Sequence, residues 1–229
     1  MHLLTAIRTF KDARGFTLAE LAVVLLIISI LAAAFIVPLS GREESRRRHE
    51  TEAALEEIRE ALIGFAIIHR RLPCPTVETN PTVAAYGIED ATCSKNAEGY
   101  LPWRTLGVES HDAWGRPRTK DTDPWTGYWR YRVVPSVSLP TAHIDVGTTL
   151  DDELRLVDAD GSTMVDGKAL AALVYSTGPN GTPDGANASY EAGSVATYET
   201  GAPTTTFDDI VAWIGHPLLI ARMAAAGSL

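Results

Sequence analysis

Gly15-Phe16-Thr17-Leu18-Ala19-Glu20 runs straight into LAVVLLIISILAAAFIVPL, residues 21–39. That second stretch is apolar apart from Ser29 and Pro38. At a helical rise of ~1.5 Å its length covers roughly 28 Å, about one bilayer core. A single carboxylate, Glu20, marks its N-terminal edge. A short leader with Arg8, Lys11 and Arg14 precedes it. These features predict an apolar helix that begins close to the N-terminus and is long enough to span a membrane.

Working outward, Pro38 removes a backbone donor and Ser40-Gly41 weakens the same place, so a kink or local opening is expected there. A helical pattern then resumes at once. Residues 42–70 are rich in Glu, Arg, Ala and Leu, all good helix formers. Ala54, Ile58, Ala61, Leu62, Phe65 and His69 recur at spacings of three and four and predict one apolar stripe. Glu43, Glu44, Glu50 and Glu52 surround Arg46-Arg47-Arg48, which reads as a mixed-charge helical surface. Leu72-Pro73 ends the helix, because a residue before proline is pushed out of the helical region.

Arg14-Gly15-Phe16-Thr17-Leu18-Ala19-Glu20-Leu21 resembles the processing site of type IV pilins and type II secretion pseudopilins. The resemblance implies cleavage after Gly15 by prepilin peptidase and N-methylation of Phe16. It also implies that Glu20, the fifth residue after the cut, pairs with the N-terminal amine of a neighbouring subunit. A secretory signal peptide has its cleavage site after the apolar stretch; here the site precedes it, so the helix stays with the mature chain. Lys and Arg flank both ends of the apolar run, so charge bias alone leaves orientation open. The family's peptidase works at the cytoplasmic face, which implies a single pass across the inner membrane with the C-terminal part in the periplasm. The implied organisation is a leader over 1–15, a transmembrane and filament-core helix over 16–39, its amphipathic half over 40–71 and a globular head over 72–229. The implied fold is α+β, a long N-terminal helix packed on a small antiparallel sheet.

The 229-residue chain carries a formal net charge of −9, and loss of residues 1–15 takes it to −11. A domain this acidic has no general electrostatic reason to bind nucleic acid, and no such partner is expected. Cys74 and Cys93 are the two cysteines. They read as one disulfide, with two free thiols as the alternative, and a periplasmic setting permits the bond.

In the head, residues 129–134 read as a strand by aromatic content and alternation. Residues 154–158 and 169–177 read as two more, separated by the turn-like Asp158-Ala159-Asp160-Gly161; the apolar run 169–175 has a short buried helix as its alternative, and the exit into Gly-Pro-Asn-Gly favours the strand. All three are expected in one antiparallel sheet lying on the long helix. Pseudopilins and minor pilins have a similar Asp-x-Trp-Gly turn leading into a Tyr-x-Tyr strand. Here Asp112-Ala113-Trp114-Gly115 is separated from that strand by an insertion, residues 118 to about 125. The aromatic cluster reads as core and turn packing, with a sugar-binding surface as the alternative. Residues 218–226 read as a short helix stopped by Gly227.

The segment 176–185, STGPNGTPDG, returns at Phe207-Asp208-Asp209-Ile210 and resembles the calcium-binding C-terminal loop of the major pseudopilin. The resemblance implies Asn180, Asp208 and Asp209 as ligands, and calcium prefers six to eight oxygens. A solvated loop, with Asp208-Asp209 capping a following helical turn, is the alternative.

No phosphate loop, zinc spacing or Ser-His-Asp context is present, so no enzyme is read here. The expected function is a structural subunit of a type IV pilus or secretion pseudopilus. The large head suggests a minor or accessory subunit. Its partners would be prepilin peptidase, other pilin or pseudopilin subunits and the inner-membrane assembly platform. The rival reading is an adhesin or uptake receptor displayed on such a filament.

Overall fold

A computed structural model of the protein describes residues 17–94, 98–191 and 195–229, and only the backbone of residues 32–40. Helix α1 (Leu18–His69) runs through Pro38 and Gly41 without a helical break. The chain leaves it through Arg70, whose φ of 56° is left-handed, ahead of Leu72-Pro73. The chain divides into two units between Ser45 and Arg46.

The first unit holds the apolar part of α1. Its described side chains, among them Leu21, Leu25, Ile28 and Leu31, are exposed. Among the described residues no helix is long and apolar enough to cross a membrane. The side chains of 32–40, which complete the apolar run in the sequence, lie outside the described set.

The second unit is the head. Arg46 pairs with Glu50, and Arg48 with Glu52 at 3.4 Å, so the triple-arginine segment is laced by i, i+4 ion pairs. The buried stripe of α1 is Leu55, Ile58, Leu62, Ile63 and Ala66. It lies to one side of the predicted stripe: Ala54 and Ala61 are half-buried flanks, and His69 is exposed. Ile58, Leu62 and Phe65 of the predicted stripe are buried, and the buried face continues through Leu55, Ile63 and Ala66.

The strands are β1 (Gly99–Tyr100), β2 (Arg130–Val133), β3 (Leu154–Asp158), β4 (Thr163–Val165), β5 (Leu170–Ser176), β6 (Ala196–Thr200) and β7 (Ile210–Gly215). Four of them form an antiparallel sheet in the order β1-β2-β5-β7. Tyr131 faces Val174, and Leu173 faces Trp213, across it. Every residue of β5 is buried, so both faces of the sheet are covered there. The core joins Leu55, Ile58 and Leu62 of α1 to Tyr131, Val133, Leu173 and Tyr175 of the sheet.

The residues of β3 fall in a second sheet, β4-β3-β6, not in the first as expected. The turn at Gly161, φ 81°, folds β4 back onto one edge of β3. The other edge pairs in parallel with β6. With both edges taken, β3 has none to offer β2 or β5. Helix α2 (Trp103–Leu106) is a single turn. The C-terminal α3 (His216–Ala225) has Pro217 in its first turn, where the missing N–H costs nothing. It buries Leu219 and Met223, and Arg222 contacts Glu60 of α1.

Candidate functional site

Three constellations carry the residues of interest. The first is the start of α1. Gly15 and Phe16, the expected processing junction, lie outside the described residues. Thr17 and Glu20 form a reciprocal capping box. The Thr17 hydroxyl accepts from the Glu20 backbone N–H at 3.2 Å, and the Glu20 carboxylate accepts from the Thr17 N–H at 2.9 Å. The same hydroxyl donates to Glu20 Oε2 at 2.9 Å. Thr-x-x-Glu is the sequence form of this cap, so this use of Glu20 was open to reading beside the subunit-pairing role. Glu20 is exposed next to Ala19, Val23 and Val24.

The second is the turn at Asp112. Its Oδ1 accepts from the N–H groups of Trp114 and Gly115 at 2.9 and 2.8 Å, and its Oδ2 accepts from the Ser176 hydroxyl at 2.5 Å. Ala113 N–H donates to Thr51 of α1. The buried aspartate therefore ties the turn to β5, and its neighbour Ala113 ties the turn to α1. The excursion that follows closes at its base, where Asp112 N–H donates to the Gly127 carbonyl at 2.8 Å. Arg118 pins it from within. Its guanidinium donates to the carbonyls of Thr79, Asp121 and Asp123 and lies 4.0 Å from the Trp125 ring centroid. Tyr100 stacks on Trp125 with centroids 4.0 Å apart. The insertion is thus a built loop with the aromatic cluster as its core.

Cys74 and Cys93 are brought together with Cα atoms 5.3 Å apart, the spacing of a disulfide. Arg71 and Glu89 bracket the same loop with a bidentate pair at 2.8 and 2.9 Å.

The third is an acidic cluster. Carboxylate oxygens of Asp184, Asp208 and Asp209 all lie within 4.8 Å of one another. Asp209 is completely buried. Its Oδ2 accepts from Asp184 N–H at 3.0 Å and from the Asn187 amide at 2.8 Å. Its Oδ1 is buried with no hydrogen-bond partner among the described residues. Burial pushes the Asp209 carboxyl up to about 7, against the lowering effect of its two donors. Glycine closes the loop: Gly178 has φ 59°, and a Cβ there would meet Asp208 Oδ1 at 2.2 Å.

The sequence placed Asp208 and Asp209 here and named Asn180 as the third ligand. Asn180 instead turns its amide nitrogen to Asp184, at 3.0 and 3.1 Å, while its oxygen accepts from Thr182. Asn180 thus steadies a carboxylate, and the third carboxylate is Asp184. Asp184 sits in the quoted loop, but nothing local shows that it meets a segment 24 residues away. Asp209 leads directly into β7, so a strand, and not a helical turn, follows the pair. Three clustered carboxylates, one with a buried oxygen left over, fit the oxygen chemistry of a hard divalent cation.

Residues 10–36 match the family model described as the prokaryotic N-terminal methylation motif. The match takes in Gly15, Phe16, Glu20 and most of the apolar run. No curated protein and no solved structure matches the chain.

Proposed function

Because this chain carries the type IV pilin and pseudopilin signal, we propose that it is a minor or accessory filament subunit of a type IV pilus or a type II secretion pseudopilus. Prepilin peptidase cuts after Gly15, and Phe16 becomes the methylated N-terminus. The apolar run of residues 21–39 then holds the protein in the inner membrane until assembly, with the head in the periplasm. In the filament the apolar helix packs among those of other subunits, and the assembly platform draws the subunit from the membrane. The family behind this signal consists of structural subunits, and the role assigned here is assembly and not catalysis.

The observation that carries this reading is the order of features inside residues 10–36: basic leader, Gly15-Phe16 junction, Glu20 and then an unbroken apolar helix. The α+β head supports it. A calcium ion held by Asp184, Asp208 and Asp209 belongs to the same reading. It would neutralise the buried Asp209 carboxylate and fasten the loop at residues 176–185 to the strand that follows Asp209.

Processing is the direct test. Intact mass of protein extracted from membranes should correspond to a chain starting at Phe16 with one added methyl. Retention of residues 1–15 in cells with active prepilin peptidase would overturn the proposal.

A further inference from the structure

Away from the acidic cluster, the head has a cleft of about 250 Å³ between the Thr76–Thr79 segment and the start of the main sheet. At ~30 Å³ per water, that is room for about eight waters. It falls just below the range for drug-sized ligands and suits a single sugar ring. A second lobe, of about 180 Å³, lies on the Thr177–Pro183 side. The two lobes share Tyr100, Trp125 and Arg130.

The shared residues form a fixed wall. Trp125 is stacked between Tyr100 and the Arg118 guanidinium, each at 4.0 Å, and the Arg130 guanidinium lies 5.0 Å from the Tyr100 ring centroid. Such a wall needs no ordering when a ligand arrives. Since those stacks occupy the ring faces, recognition falls to the polar groups beside them.

Those groups define the ligand's chemistry. Glu98 and Arg130 pair with each other, so neither offers a free charge to a ligand, and Glu78 in the larger lobe opposes an anion. Glu98 is a buried carboxylate held in place, accepting from Arg130 Nε at 2.6 Å and from the Tyr175 hydroxyl at 3.0 Å. Thr76 lines the same lobe, is 4% exposed, and its hydroxyl has no partner among the described residues. A buried hydroxyl without a partner carries a desolvation cost, and a turn of the Thr76 side chain toward the lobe would let a ligand relieve it. In the smaller lobe Thr126 and Thr177 contribute further hydroxyls.

We infer that these two lobes are adjacent subsites for a neutral oligosaccharide, one sugar ring in each, across the Tyr100–Trp125 wall. The site goes beyond a purely structural role and stands whether or not the chain is processed at Gly15.

The test uses full-length protein in a detergent with no sugar headgroup. Maltotetraose, cellotetraose and chitotetraose are titrated by ligand-observed NMR, beside the corresponding monosaccharides and one anionic and one cationic oligosaccharide. At least one neutral tetrasaccharide should bind, more tightly than its monosaccharide and than either charged probe. Thr76→Val should weaken it about tenfold, the loss of one hydrogen bond. The same variant should melt at or above the wild-type temperature, since that hydroxyl has no internal bond to lose. Glu78→Gln is the second variant and should also weaken binding. Failure of all three neutral tetrasaccharides to bind at millimolar concentration overturns the inference. So does preference for a charged probe, or affinity unchanged in both variants.

Discussion

Asp209 is a carboxylate whose burial carries a desolvation cost. A carboxylate has been taken out of water with one oxygen bonded twice and the other not at all among the described residues. A bound cation would remove that cost, which links the residue to a measurement. Calcium should raise the melting temperature of the full-length protein, and chelation should lower it. Asp209→Asn should melt at or above the wild-type chelated value, because it loses a buried charge, and should no longer respond to calcium. Gly178→Ala should also lose the response for a different reason. Its φ is left-handed, and its new methyl would displace Asp208. It should therefore be less stable than wild type in chelator as well. Equal melting of wild type with and without calcium would remove the metal from the account. The sequence revealed the pair Asp208-Asp209 because adjacent acidic residues stand out. It hid Asp184, because the folding of the chain between residues 184 and 208 is what brings that carboxylate in. Asn180 stands beside the cluster with its amide nitrogen on Asp184, a partner that residue type alone does not announce.

Among elements, the segment after α1 shows how an irregular stretch is held. The loop from Cys74 to Cys93 holds only turns and a single bridge, Thr76 to Tyr100, so ties to the rest of the head order it, those at its ends acting beside that bridge and Arg118 on the Thr79 carbonyl. One tie is the cysteine pair, and another is Arg71 with Glu89. A third is Glu89 N–H donating to the Thr105 hydroxyl at 2.9 Å. A disulfide closing a loop of this length is worth about 3 kcal/mol in the chain-entropy model. Both thiols should resist alkylation until the protein is reduced. The double substitution Cys74→Ser, Cys93→Ser should cost about that much in denaturant unfolding of the full-length protein. Free thiols in protein isolated from cells would show that the loop relies on its non-covalent ties. Elements with a strong local signal were legible in advance. The spacing of α1 and Pro217 at the head of α3 each point to one structure, and the Gly-Pro-Asn-Gly exit decides the apolar run of β5 as a strand over a buried helix. β6, written ATYET, alternates only weakly, and β1 is two residues long. β7, IVAWIG, follows Asp208-Asp209 so closely that the acidic pair dominates its reading. The second sheet was illegible because its parallel β3–β6 pairing joins segments about 40 residues apart, with no turn to announce it.

At the scale of the whole molecule the question is what Glu20 does once subunits assemble. Within one chain it has a use already: its carboxylate accepts from Thr17 N–H and completes the cap of α1. A carboxylate at a helix N-terminus also favours the macrodipole. In the proposed filament a second use would compete. The new amine of Phe16 on a neighbouring subunit would be a cation in an apolar setting, and pairing with Glu20 would favour one axial offset between subunits. Three substitutions separate the uses. Glu20→Ala removes both. Glu20→Gln retains a side-chain acceptor for the Thr17 N–H, since Gln serves in capping boxes as Glu does, but loses the charge. Thr17→Val keeps the charge and removes the capping hydroxyl. None should impair membrane insertion or cleavage at Gly15, which would be checked by mass and membrane fractionation. Incorporation is then read as the ratio of sheared-surface to membrane-bound protein. If the charge pair governs assembly, Glu20→Gln should fall nearly as low as Glu20→Ala, and Thr17→Val should stay close to wild type. Wild-type incorporation of Glu20→Gln, with loss in Thr17→Val, would instead make Glu20 a helix cap and leave subunit register to the packing of the apolar helices.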